Sequence, residues 1–244
     1  MPDDFDYSQR PQRAAPQQPA PPITTFLLMG ICFVATLPRL APSLLRDPFW
    51  QHIVSVFYVP SEAIWSGQVQ GMLTTVFVHG DILHILFNMM WLYQLGMVLE
   101  LTIGPLLMVV IMAAAGFVAS GAELAIMGQT GIGFSGIVYA LFGMMWAGRG
   151  KYPMWAAVAT GDNWRVMIGW AVLCVVATYF NWMHIANAAH FGGLLFGVSI
   201  GYAFFAPRKR PLWIIPMVLL VVLTILSVVW MPWNPDWRAL HAGG

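Results

Sequence analysis

Charge is what this sequence has least of. Only 9% of its 244 residues are Asp, Glu, Lys or Arg, against about 25% in an ordinary soluble domain. That scarcity excludes a surface built to face water, and the 59% hydrophobic content points to lipid as the solvent. The net charge of +1 says nothing in favour of nucleic acid, and no basic tract suggests such a partner. Cysteine is almost absent. Cys32 and Cys174 both lie inside apolar runs and read as small packing residues, not as a disulfide. A zinc peptidase would need His-Glu-x-x-His, which is missing, and His79 and His84 have no third soft or acidic ligand nearby. No metal and no cofactor are expected. Gly80-Asp81 and Gly161-Asp162 sit at the edges of apolar runs without a buried acidic partner, which argues against aspartyl chemistry.

What is present is a series of apolar runs near the length of about 20 residues that crosses a bilayer. They fall at about 23–37, 82–101, 105–127, 134–148, 166–183, 185–206 and 212–231. The expectation is therefore an all-α, polytopic membrane helix bundle. The region between the first two runs mixes Pro42, Pro48 and Pro60 with Trp50 and Trp65, as an interfacial loop with aromatic anchors would. Residues 1–22 are rich in Pro, Gln and Ala and read as a disordered tail. The division expected is a tail (1–22), a six-span core (23–206), a basic loop with a seventh span (207–231), and a C-terminal tail (232–244).

Basic residues orient the bundle. With the N-terminus inside, the inner segments hold Arg10, Arg13, Arg149, Lys151, Arg165, Arg208, Lys209 and Arg210, and the outer ones hold Arg39, Arg46 and Arg238. Eight against three favours this topology by the positive-inside rule. Spans two, four and six then all start at the outer face.

Polar side chains within a membrane are costly and mark function more often than elsewhere. One cluster opens span two, where Asp81 is placed to cap the helix and His84 and Asn88, four residues apart, share a face. Taken alone, the pair reads equally well as interhelical hydrogen bonds. A second cluster opens span four as Gly131-Ile-Gly133-Phe-Ser135-Gly136. The 15 residues from Phe134 to Gly148 make only about 22 Å of helix, so Ser135 should lie about 8 Å below the outer surface. A glycine-rich loop must dip to meet it, which is tolerated where backbone lines a watery cavity or is buried in protein. The third cluster opens span six, where His190, Gly193, Gly197 and Gly201 follow one another at spacings of three, four and four. That glycine face admits a close neighbour, and Ser135, Tyr139 and Gly143 offer a matching face on span four. Packing the two sets Ser135 and His190 at similar depth. Ser135 is then the candidate nucleophile, with His190 as general base and acid. His84, Asn88 and the Ser135 N–H are candidates for an oxyanion hole. Without a carboxylate to orient His190, the pair would be a dyad, with Tyr139 packed against the imidazole.

These clusters, in this order, resemble the rhomboid family of intramembrane serine proteases. The resemblance covers roughly residues 70–206: His79, His84-x-x-x-Asn88, Gly96-x-x-x-Glu100-x-x-x-Gly104, Gly133-Phe-Ser135-Gly136 with Tyr139, and Ala189-His190-x-x-Gly193-x-x-x-Gly197. It implies a six-helix core, the dyad and oxyanion roles above, structural roles for His79 and Glu100, and substrate spans entering laterally between helices two and five. Membrane-protein substrates and a bacterial cell membrane are implied with it, the active site opening to the outer face; the oligomeric state is left open. Two departures stand out. Many rhomboids carry Trp-Arg in the first loop where this chain has Gln70-Gly71, which implies an altered loop rigidity. A seventh span follows the core, as in the six-plus-one subtype. The rival readings are a rhomboid-like pseudoprotease that binds membrane-protein clients, and a transporter with the histidines as a proton path. The polar groups gather at one depth instead of crossing the bundle, which weighs against transport.

Overall fold

The structure, a computed structural model, describes residues 21–242. The expected disordered tail lies almost wholly outside these residues. Among the described residues every regular element is helical: α1 (Ile23–Leu40), α2 (Pro48–Phe57), α3 (Ser61–Trp65), α4 (Gly71–Thr74), α5 (Ile82–Ile103), α6 (Pro105–Met127), α7 (Ser135–Gly148), α8 (Pro153–Val158), α9 (Gly161–Tyr179), α10 (Asn187–Phe205), α11 (Arg210–Val229) and α12 (Pro235–His241). The chain is an all-α, multi-pass membrane bundle. In lipid every backbone polar group must be satisfied internally, and a helix does this within itself.

Five of these helices (α1, α5, α6, α10 and α11) are long and apolar enough to cross a membrane. Helix α7 is apolar but only 14 residues long. It is also the centre of the molecule, with Ile137, Leu141, Phe142 and Met145 all buried. Neighbours α5, α6 and α10 surround it, so its short length is closed off by protein. Helix α1 packs on α5, and α11 packs on α6 and α10. Beneath the core, Trp155 of α8 is fully buried and donates from Nε1 to Thr102 Oγ1 at 2.8 Å.

Three boundaries differ from the sequence expectation. Helix α1 runs through Pro38 to Leu40, because proline near a helix end forfeits a single backbone bond. Helix α9 starts at Gly161 instead of 166 and ends at Tyr179. Its polar opening turn is helical because Thr160 Oγ1 accepts the Asn163 N–H at 3.1 Å, an N-cap in the usual sense. The first loop is not irregular. It folds into α2, α3 and α4, with Ile64, Trp65 and Met72 buried together with Met231 from the far end of the chain.

Candidate active site

Ser135 is the first residue of α7, following Phe134 as N-cap. The opening N–H groups of a helix have no partner within it, so the nucleophile candidate sits on a cluster of donors. The approach to it turns at Gly133, whose φ of 103° is open to glycine. A Cβ at Gly133 would stand 2.5 Å from His84 Nε2. Glycine therefore lets the His84 ring lie directly against the turn that delivers Ser135.

His84 is held from its other side. The Asp81 carboxylate accepts the His84 N–H at 2.9 Å, capping α5, and the Gly80 N–H donates to His84 Nδ1 at 3.2 Å. Since Nδ1 accepts, the proton of the neutral ring belongs on Nε2, the nitrogen that faces Gly133 and the start of α7. Asn88 lies one turn further along. Its amide donates one N–H back to the His84 carbonyl at 2.9 Å, and the second N–H of the amide is not used by that bond.

His190 enters from α10, with its Nε2 2.8 Å from Ser135 Oγ. Its ring lies against Tyr139, with centroids 4.7 Å apart at 30°. Tyr139 is anchored in turn by its hydroxyl, which donates to the Met167 carbonyl at 2.9 Å. Among the described residues His190 Nδ1 has no hydrogen-bond partner, so no carboxylate orients the imidazole. Backbone contact brings α10 this close. A Cβ at Gly193 would collide with the Gly136 carbonyl, and one at Gly197 with the Ala140 carbonyl. A cavity of about 10 Å³, room for a single water, opens beside Ser135 between Gly131, Gly133, Gly136, Ala186 and Ala189.

Two of the sequence candidates lie outside this cluster of reacting groups. His79 forms the roof: it is fully buried, its Nδ1 sits 3.1 Å from the Phe77 carbonyl and 3.3 Å from Thr36 Oγ1, and its Nε2 accepts the Phe134 N–H at 3.3 Å. Burial, with the neighbouring His84 adding to it, pushes this imidazole down to about 3. Glu100 is remote, 16 residues along α5 from His84, or about 24 Å of helix. It accepts the N–H groups of Thr24 and Thr25 and the Thr25 hydroxyl, each at 2.8 Å, and so caps the first turn of α1.

Residues 66–207 match the Rhomboid domain family. The chain is 30% identical over 198 residues to the rhomboid protease GlpG of Salmonella paratyphi A, and 29% identical over 198 residues to those of Salmonella newport and Salmonella heidelberg. Each alignment covers 80% of this chain and 68% of the relative. The chain belongs to the rhomboid family.

The rhomboid match stops before α11, yet the segment beyond it packs on the first loop and on the C-terminal end of α6. Trp65 Nε1 in the first loop donates to the Ser227 carbonyl at 3.0 Å, and Trp233 Nε1 donates to the Ala125 carbonyl at 3.3 Å. Asn234 lies so close to Gly128 that a Cβ there would overlap it. Sequence reasoning missed Trp233 and Asn234, which lie in what was expected to be a tail. It also missed Glu123 in α6, 3% exposed, whose carboxylate accepts the Ala189 N–H at 3.0 Å. A lone acid in the middle of an apolar run was the signal available for it.

Proposed function

We propose that this rhomboid-family protein is an intramembrane serine endopeptidase that cuts within or beside the membrane-spanning helices of other proteins. The observation that carries the proposal is the 2.8 Å approach of His190 Nε2 to Ser135 Oγ at a helix N-terminus sunk in an apolar bundle. It is supported by relatives named as rhomboid proteases.

In this reading His190 takes the Ser135 proton as Oγ attacks the substrate carbonyl, then returns it to the leaving amine. The carbonyl oxygen becomes an anion and is met by the Ser135 N–H, His84 Nε2–H and the free N–H of Asn88. The acyl-enzyme is hydrolysed by water, for which the cavity beside Ser135 has room. His79 and Tyr139 hold the two ends of this arrangement, and Gly133, Gly136, Gly193 and Gly197 allow its closeness. The substrate span would enter between α5 and α9, where the Phe87 and Trp170 rings face one another 5.0 Å apart. The catalytic core is 23–206. The site opens to the outer face of a bacterial cell membrane, with the N-terminus in the cytoplasm.

The test is cleavage of a single-span reporter by purified protein in liposomes, run beside Ser135→Ala and His190→Ala. Wild-type protein should cleave near the outer end of the reporter span, and each variant should lose at least about 10³-fold. Cleavage that survives Ser135→Ala would refute the nucleophile. A folded wild type that binds several reporters and cuts none would favour the client-binding reading.

A further inference from the structure

We infer that Glu123 is a positioning residue for the dyad, fixing the helix that carries His190 against the loop that delivers Ser135; this rests on the function just proposed. A buried carboxylate inside a membrane bundle is expensive unless it is hydrogen-bonded. Glu123, on α6, is 3% exposed, and it takes its hydrogen bond from another helix: Oε2 accepts the Ala189 N–H at 3.0 Å.

Ala189 is the third residue of α10 and immediately precedes His190. Its N–H is one of those left without an intrahelical acceptor at a helix start. Ala186, the N-cap of α10, offers no side-chain oxygen, and no N-cap side-chain bond forms. Glu123 therefore supplies from outside the acceptor oxygen that a Ser, Thr or Asp cap supplies in an ordinary helix.

The same side chain lies beside the nucleophile's loop. A Cβ on Gly131 would stand 3.7 Å from Glu123 Cγ and would collide with Ala186. The Glu123 stem thus passes close to Gly131, four residues before Ser135, and its carboxyl reaches the backbone one residue before His190. One group on a third helix thus bonds the backbone beside His190 and packs near the loop that leads to Ser135, the two partners of a 2.8 Å contact. Losing this anchor frees the first turn of α10, above the glycine contacts with α7, and a misplacement of about 1 Å at a reacting pair can cost about a hundredfold in rate.

The experiment uses the full chain in liposomes and two readouts. One is the rate at which a small fluorophosphonate labels Ser135, which needs the dyad but no substrate span. The other is kcat and KM for the reporter, with melting temperature measured alongside. Glu123→Ala should slow labelling and lower kcat together by about tenfold to a hundredfold, leaving KM unchanged. Glu123→Gln, which keeps the shape and an acceptor oxygen, should recover most of both. Glu123→Asp retracts the carboxylate by one methylene and should fall between, which keeps the test usable if the alanine variant does not fold. Wild-type labelling rates in the alanine or aspartate variants, whatever their melting temperatures, would overturn the inference. So would a glutamine variant as slow as alanine, since the hydrogen bond would then not be the cause. Failure of the wild type itself to label would instead count against the proposed function.

Discussion

Helices α10 and α9 both pack beside the candidate site, and they do so in opposite ways. Helix α10 meets α7 backbone to backbone through Gly193, Gly197 and Gly201, and it buries His190, Ser199 and Phe196 along with those glycines. Helix α9 buries only Met167, Ala171, Cys174 and Ala177, a single narrow stripe. Val166, Trp170, Val172 and Leu173 face outward. In lipid, an outward apolar face costs nothing, so no hydrophobic force pulls α9 inward. Close van der Waals contact is what holds membrane helices together. The bundle therefore has one rigid seam, which carries the Ser135–His190 pair, and one loose wall. The difference suggests a division of labour: geometry is stored in the seam, and access is left to the wall.

The largest effect should come from wedging the seam. Gly197→Ala places a methyl group on the Ala140 carbonyl, a backbone atom that cannot rotate away. Overpacking of this kind should cost about 3 kcal/mol, with loss of both fluorophosphonate labelling and reporter cleavage. Gly169→Ala on α9, where a Cβ would meet nothing within 4 Å, is the control and should leave melting unchanged. Equal tolerance at both positions would dissolve the contrast.

Acid should find the roof of the seam next. His79 stays neutral in the folded protein because it is buried and because its Nε2 accepts the Phe134 N–H; a second proton would set two donors face to face. Its folded value of about 3 lies below the ordinary 6.5. Its contribution to stability is therefore complete above the ordinary value and is lost as pH falls from there toward the folded value, because only the unfolded chain takes up the proton. At about pH 5 the loss should be about 2 kcal/mol. Melting of wild type against His79→Gln across this range measures it, and the two curves should converge on acidification. Parallel curves would mean that His79 is already charged in the fold.

The legibility of this chain in its sequence follows the same contrast. Long apolar runs announced every membrane-length helix, because lipid leaves the helix as the available solution for the backbone. The glycine spacing on α10 and the matching face around Ser135 and Tyr139 were readable because close packing needs small residues at helical intervals. The first loop was not readable. Its prolines and tryptophans look like interruptions, whereas Pro48 begins α2 and Trp65 ends α3. Glu123 was legible only as an anomaly, and Glu100 only through the motif of the family the chain resembles, since their partners are backbone N–H groups 66 and 76 residues away, and backbone donors leave no mark in a sequence. The strap formed by Trp233 and Asn234 escaped for the same reason: its acceptor is the Ala125 carbonyl, and its seat is a bare glycine.

The smallest and most telling effect should come from the loose wall. Phe87 on α5 and Trp170 on α9 are both substantially exposed, with rings 5.0 Å apart at an angle of 36°. They are the one aromatic pair joining these two helices among the described residues. An aromatic pair is worth about 1 kcal/mol beyond its buried area. If a substrate span must part α5 from α9 to reach Ser135, that energy opposes entry. Phe87→Ala or Trp170→Ala should then speed reporter cleavage roughly fivefold, while the melting temperature barely moves. Labelling by a small fluorophosphonate, which needs no parted helices, should stay within about twofold of wild type, well short of that gain. The two readouts have to separate. If labelling and cleavage rise together, the variants have loosened the site itself, and α9 belongs to the seam; if neither changes, the substrate reaches Ser135 by another face.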